Sequence, residues 1–318
     1  MNIIFWGSSE LSVPFLELLN KKKLKISAVV TSSDKPQGRG LKTLPTPVKL
    51  LAQKYNINVL TEKDIDYETI QKLSPELSIV VSFGKIIPKS IIDLHKIGML
   101  NVHFSLLPKY RGAAPIQWCL LNGEKETGVT IFWLDEGIDT GDIFVQEKIE
   151  VNEEDDYYSL SKKLVDVGCN LLENVIERIA KGEIVKIKQQ GEPTYAPLIK
   201  KTQAQISWEK TADEIHNLVR AFVHWPKTTT KLFLSLTQKI INVKILQTKI
   251  VNPQNFSIPI QENISVGSIV SINKDSIIVK CAKDTFLAVL KIQPENKNVL
   301  TTQQFLCGYK VRLFDRFI

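Results

Sequence analysis

The sequence predicts an α/β protein, a mainly parallel sheet flanked by helices, followed by a small C-terminal β-barrel. Three observations lead there. Short apolar runs rich in β-branched residues alternate with helix-period patterns through the first half of the chain. After Pro193 the pattern changes, and beyond a linker and a short helix closely spaced β-type runs take over. The charge divides along similar lines: residues 1–200 carry 25 Lys and Arg against 26 Asp and Glu, whereas residues 201–318 carry 16 against 8.

In chain order, Ile3–Trp6, Ile26–Val30, Leu77–Ser82 and Met99–Val102 read as buried strands, with helices over Glu10–Leu19 and Thr46–Tyr55 between them. Strands alternating with helices favour a parallel sheet, whose ligands gather at the carboxyl ends of the strands. Val129–Leu134 and Ile143–Val151 read as two further strands flanking an acidic loop. A long helix over Tyr158–Ala180 places Leu160, Leu164, Leu171, Leu172, Val175, Ile176 and Ile179 on a helical repeat, with Asp155 and Asp156 before it and Gly182 after it. Tyr195–Trp208 has weak periodicity and reads as a linker. The expected division is therefore 1–193, a linker at 194–208, and 209–318. The last part opens with a short helix, Ala212–Phe222, ending before Trp225-Pro226. The runs Lys231–Leu236, Ile240–Ile245, Val266–Ile272, Ser276–Val279 and Thr285–Ile292 then predict the barrel.

A length of 318 residues with 43% apolar content accommodates two domains with buried cores. Met1 is followed at once by Ile3–Trp6, with no basic leader and no apolar run near the ~20 residues of a membrane span, so a cytoplasmic protein without membrane contact is expected. Cys119, Cys169, Cys281 and Cys307 lie far apart without C-x-x-C spacing, which argues against a disulfide framework or a zinc site, and no metal is expected. The net charge is +7, and a second basic zone runs from Lys21 to Lys49, where eight basic residues face the single acid Asp34. Two basic zones suit a polyanion large enough to touch both. A solvated lysine-rich surface accounts for the charge equally well.

The turn after the first strand, Gly7-Ser8-Ser9-Glu10-Leu11-Ser12, lacks the second and third glycines of a dinucleotide-binding turn, which disfavours a nicotinamide oxidoreductase. Gly38-Arg39-Gly40-Leu41-Lys42-Thr43 lacks the Gly-Lys-Ser/Thr of a phosphate loop and runs into Leu44-Pro45. With Pro36, Gly38 and Gly40 as punctuation, Asp34–Thr46 is expected to be a mobile, basic loop without a regular element.

The chemistry is expected at Asn101-Val102-His103 and at Asp135-Glu136-Gly137-Ile138-Asp139-Thr140-Gly141-Asp142. Asn101 and His103 are two apart in an extended strand and so face one cleft. An amide and an imidazolium can both donate to the oxyanion of a tetrahedral acyl-transfer intermediate. Asp139 can orient the ring and help pass a proton from the attacking group to the leaving nitrogen. The acid spacing does not fit an EF-hand, and Ser105 stands outside any G-x-S-x-G elbow, so a Ser/His/Asp hydrolase has little support. Taken singly, His103 also fits a structural histidine and Asp139 a turn residue, and spacing alone leaves both readings open.

His103–Pro108 with Arg111-Gly112-Ala113-Ala114-Pro115-Ile116, followed by Asp135–Asp142, resembles the signature of formyltransferases that use 10-formyltetrahydrofolate. Asp34–Gly40, Pro47-Val48-Lys49, Phe83–Pro88, Tyr195-Ala196 and Trp225-Pro226 extend the resemblance in the same order over nearly the whole chain. It implies a Rossmann-like catalytic domain at 1–193 and an OB-like barrel for tRNA binding at 209–318. It implies a catalytic trio of Asn101, His103 and Asp139. Folate binding is implied at Phe83, Gly84, Ile86, Ile87, Ser105, Leu106, Leu107, Pro108, Asp135 and Gly137, and tRNA binding at Lys35, Arg39 and Lys42. The implied acceptor is the α-amino group of methionine esterified to initiator tRNA, and a monomer is expected. Two rivals stand beside this reading, a nucleotide-sugar N-formyltransferase and a noncatalytic RNA-binding protein. The two basic zones disfavour the first, and the intact trio disfavours the second.

Overall fold

The computed structural model describes residues 1–37, 42–255 and 264–318, in two compact units. Met1–Pro115, Glu126–Val151 and Ser161–Pro197 form the first; Ile116–Lys125, Asn152–Leu160 and Leu198–Ile318 form the second.

The elements through the first half are β1 (Asn2–Gly7), α1 (Val13–Lys21), β2 (Lys25–Thr31), β3 (Lys35–Gln37), β4 (Lys42–Leu44), α2 (Pro47–Lys54), β5 (Val59–Thr61), α3 (Tyr67–Lys72), β6 (Leu77–Val81), α4 (Lys89–Ile92), β7 (Gly98–His103), α5 (Pro115–Leu121), β8 (Glu126–Trp133), β9 (Ile143–Glu150) and α6 (Tyr157–Ala180). The first unit is built on a seven-stranded sheet in the order β5-β2-β1-β6-β7-β8-β9. The first five strands in that order pair in parallel, β8 pairs antiparallel with β7, and β9 pairs antiparallel with β8. This mainly parallel sheet is the Rossmann-like arrangement expected. Its central strands are buried on both faces: Ile3, Ile4, Phe5 and Trp6 of β1 are all buried, and β6 buries Leu77, Ile79 and Val81 on one face and Val80 with the polar Ser78 on the other. Helix α6 packs through Gly168, where an added Cβ would meet the Phe15 ring at 2.9 Å.

The sequence gives no warning of β3 and β4. Where Asp34–Thr46 was expected to hold no regular element, Lys35–Gln37 and Lys42–Leu44 pair as a short antiparallel hairpin. Its flanks are tied down. Thr46 caps α2 by accepting from Lys49 N at 3.1 Å, and its hydroxyl meets that of Thr31 at 2.7 Å. Lys49 Nζ reaches back to Asp34 at 2.8 Å.

The second unit contains α7 (Ala212–Phe222), β10 (Thr228–Leu234), β11 (Lys239–Val251), β12 (Ile269–Ile272), β13 (Ile277–Lys280), β14 (Phe286–Pro294), β15 (Leu300–Thr301), α8 (Thr302–Gly308) and β16 (Arg316–Phe317). Thr211 and Glu214 form a reciprocal cap on α7, which buries Ile215, Val219 and Phe222. The antiparallel strands run β12-β13-β14-β11-β10-β16, with β15 beside β14. A bridge between Ser268 and Arg316 brings the last strand back to the first, so the sheet nearly closes as the expected barrel. Asp315, fully buried at that seam, accepts from Ser235 N and Arg312 N, both at 2.8 Å. Among the described residues no helix is long and apolar enough to cross a membrane.

Candidate active site

Strand β7 pairs Asn101 with Val80 on one side and Phe132 on the other, and ends by pairing His103 with Thr130. Strand alternation puts Asn101 and His103 on one face at the carboxyl end of the sheet. Asn101 is half-buried and His103 is 5% exposed. His103 Nε2 lies 2.9 Å from Tyr110 O. A carbonyl only accepts, so this ring nitrogen carries a proton, and Nδ1 is the nitrogen turned toward Asp139, 3.6 Å from Oδ2. That separation is ion-pair range and longer than a hydrogen bond. The Phe132 ring meets the imidazole edge-on at 6.3 Å.

Asp139 comes from the loop joining β8 to β9. It adopts a left-handed backbone, φ 53°, and its Oδ2 accepts from Gly112 N at 2.7 Å. Asp135 shapes the start of the same loop, accepting from Gly137 N at 3.0 Å and from the Thr140 hydroxyl at 2.6 Å. The loop closes where Gly141 passes so near Trp133 O that a side chain has no room. The turn after β7 is held from outside by residues 194–196. Arg111 N donates to Thr194 O at 2.9 Å, Ala196 N to Arg111 O at 2.7 Å, and Ala114 N to Ala196 O at 3.1 Å.

The structure thus brings together His103 and Asp139, with Asn101 on the same strand face. The residues expected to bind folate divide into two kinds. Ser105, Leu107 and Pro108 are buried with polar groups already paired: Ser105 Oγ donates to Lys109 O at 2.6 Å, Leu107 N donates to Thr130 Oγ1 at 3.2 Å, and Pro108 O accepts from Thr194 N at 3.3 Å. These residues set the shape of the turn, and half-buried Leu106 lies within it. After β6 the chain is more open. Phe83 is buried edge-on against Trp6 at 5.4 Å, Gly84 has φ 74° with no atom near its Cβ position, Ile86 is 83% exposed and Ile87 is half-buried. Asp135 and Gly137 are exposed.

Of the residues expected to bind tRNA, Arg39 lies outside the described residues. Lys35 and Lys42 fall in the β3–β4 hairpin. Near its base, burial pushes the Glu62 carboxyl up, but hydrogen bonds from its own backbone and from the Ser33 backbone and hydroxyl outweigh that and hold it below the usual range. Burial pushes the Cys169 and Cys281 thiols up to about 12, so neither serves as a nucleophile near neutral pH. Among the described residues no group of three or more His, Cys, Asp and Glu side chains is arranged to hold a metal ion.

Sequence reasoning missed Gln189. Its amide joins Arg111, at 3.2 and 2.6 Å, to the carbonyls of Asp139 and Gly141, at 2.8 and 2.9 Å. No periodicity or charge singles it out in the sequence.

Residues 1–176 match the Formyl transferase family, and residues 198–310 match Formyl transferase, C-terminal domain. The chain belongs to the formyltransferase family. It is 38% identical over 317 residues to a methionyl-tRNA formyltransferase of Citrifermentans bemidjiense, covering 98% of this chain and 95% of that one. It is 41% identical to the methionyl-tRNA formyltransferase of Thermodesulfovibrio yellowstonii, over 97% of this chain and 96% of the relative. In fold it is similar to WlaRD, a sugar 3N-formyl transferase solved with dTDP and 5-N-formyl-THF, with a TM-score of 0.67 and 24% identity over 94% of this chain and 99% of that one.

Proposed function

We propose that the protein transfers the formyl group of 10-formyltetrahydrofolate to the α-amino group of methionine esterified to initiator tRNA. The observation that carries the reading is the pairing of His103 and Asp139 at the mouth of the strand that also bears Asn101. Asn101 through its amide and His103 as imidazolium through Nδ1–H, its Nε2–H being held by Tyr110 O, supply donors where negative charge develops on the formyl oxygen. Asp139 holds a carboxylate beside the imidazole and the reacting nitrogens, where a proton must move. The amine nitrogen bonds to the formyl carbon, the bond from that carbon to the folate nitrogen breaks, and the proton lost by the amine ends on that nitrogen. Esterification removes the carboxylate next to the amine, which then gives up its proton readily enough to attack without a protein nucleophile.

The chain after β6, with exposed Gly84 and Ile86, half-buried Ile87 and Phe83 buried beneath them, offers the apolar and backbone surface that a flat pteridine needs. Asp135 and Gly137 flank it in this reading, and Ser105–Pro108 shape the opposite wall. We assign catalysis to residues 1–193 and tRNA binding to 209–318, joined by 194–208. Lys35, Arg39 and Lys42 are assigned to the tRNA acceptor end. A monomer in the cytoplasm completes the proposal.

The deciding experiment supplies 10-formyltetrahydrofolate with charged initiator tRNA, uncharged initiator tRNA or an amino-sugar nucleotide. Formyl transfer to the charged tRNA alone is expected. Transfer to the sugar would install the rival reaction, and RNA binding without transfer to either acceptor would leave a binding protein.

A further inference from the structure

We propose that Gln189 is a positioning residue that holds Asp139 against His103. The inference rests on the reading of Asp139 as part of the catalytic trio. Residues 185–196 form a strap across the site. At one end Trp133 Nε1 donates to Val185 O at 2.7 Å and Ile187 exchanges backbone hydrogen bonds with Ile143; at the other the strap pairs with the turn after β7. Gln189 lies midway and is half-buried.

Its amide admits only one orientation. The guanidinium of Arg111 only donates, and the carbonyls of Asp139 and Gly141 only accept, so Oε1 must face Arg111 and Nε2 must face the loop. A flip would set donor against donor and acceptor against acceptor. All the polar capacity of the side chain is thereby spent on joining the turn after His103 to the loop that carries Asp139. Asp139 has a left-handed backbone, which Asp adopts more readily than most residues but still at a cost, so bonds to its carbonyl help to hold it there. Gln189 fixes the Asp139 carbonyl, while Gly112 fixes its carboxylate. With both ends restrained, the carboxylate stays 3.6 Å from His103 Nδ1.

The test is kinetic, on the full-length protein. Gln189→Leu removes every hydrogen bond at similar length. Gln189→Glu keeps an acceptor for Arg111 but has no donor for the two carbonyls, and it carries the test if the leucine variant does not fold. Displacement of a reacting group by about 1 Å costs on the order of 100-fold, so either variant is expected to lose 10- to 100-fold in kcat with KM for the charged tRNA and for folate nearly unchanged. Combining either variant with Asp139→Asn separates positioning from a general structural role. If Gln189 acts through Asp139, its substitution costs less than about threefold once the carboxylate is gone. Unchanged kcat in a folded variant, or a full additional loss in the Asp139→Asn background, overturns the proposal. A wild-type protein that formylates no charged tRNA overturns instead the function on which it rests.

Discussion

Gly112 donates its backbone N–H to Asp139 Oδ2 at 2.7 Å, which locks the turn after His103 to the acidic loop at the carboxylate itself. Gly112 sits at φ 123°, and a Cβ there would lie 2.7 Å from Ala196 O. Gly112→Ala therefore meets a conformational and a steric obstacle together, a strain of about 1–3 kcal/mol. The expected outcome is a lower melting temperature and a drop in kcat on the order of tenfold as the carboxylate loses its anchor. Kinetics and thermal melting on one preparation check this, and wild-type kcat would show that Asp139 needs no help from Gly112.

His103→Ala and Asp139→Ala are expected to keep the fold and tRNA binding while losing most turnover. Removing a single oxyanion donor costs on the order of a hundredfold or more in rate. Asn101→Asp should also be poor, because it replaces a donor with an acceptor and adds negative charge where negative charge develops. Near-native turnover in a folded His103→Ala variant would remove the imidazole from the mechanism.

Stability should fall on mild acidification, for a reason outside the candidate site. His95 Nδ1 donates to Ile91 O at 3.0 Å, its Nε2 faces the Ser78 hydroxyl at 2.7 Å, and Ser78 accepts from Trp6 Nε1 at 2.9 Å. The chain is satisfied when the ring is neutral. Burial lowers the His95 pKa, and likewise that of His216, below the ordinary value of 6.5. As pH falls below 6.5 the unfolded chain therefore takes up protons before the folded one, and stability present above that value is progressively lost. Denaturation midpoints measured from about pH 7 to 5.5 should decline, and His95→Gln should flatten the decline. The same slope in that variant would falsify the assignment to His95.

How much of this was legible in the sequence depends on how far each residue is from what it touches. Strand alternation alone placed Asn101 and His103 on one face, and β1, β2, β6, β7 and the α7 helix lie where their apolar patterns put them. Asp139 needed the β8–β9 hairpin to bring it home. Gln189 acts on Arg111, 78 positions away, and on Asp139, 50 positions away, through an uncharged amide with no periodic signature. The weak pattern of Tyr195–Trp208 has a different cause. Ala196 and Ile199 are buried three apart, whereas Ala204, Ile206 and Trp208 alternate with exposed Gln205 and Ser207, so no single period runs through the segment. The β3–β4 hairpin was hidden by Pro36, which reads as punctuation yet sits within a paired strand.

Arg39 is expected to contact the acceptor end of the tRNA. Asp34–Lys49 and Thr31–Thr46 contacts fix the flanks of the β3–β4 hairpin, and the sequence between its strands carries this arginine. An arginine can make a paired contact to a phosphate or base edge that lysine reproduces badly. Arg39→Ala is expected to impair use of charged initiator tRNA while leaving folate binding intact, and Arg39→Lys to recover only part of the loss. If the contact is to phosphate, the slope of log affinity against log salt should become shallower by roughly one unit. Lys49→Met, which cuts the ion pair at the hairpin base without touching Arg39, should raise KM for tRNA in the same direction and leave the salt slope nearer to wild type. Steady-state kinetics across a salt series distinguishes the cases: identical kinetics and an identical slope in Arg39→Ala would exclude the loop as a tRNA-reading element.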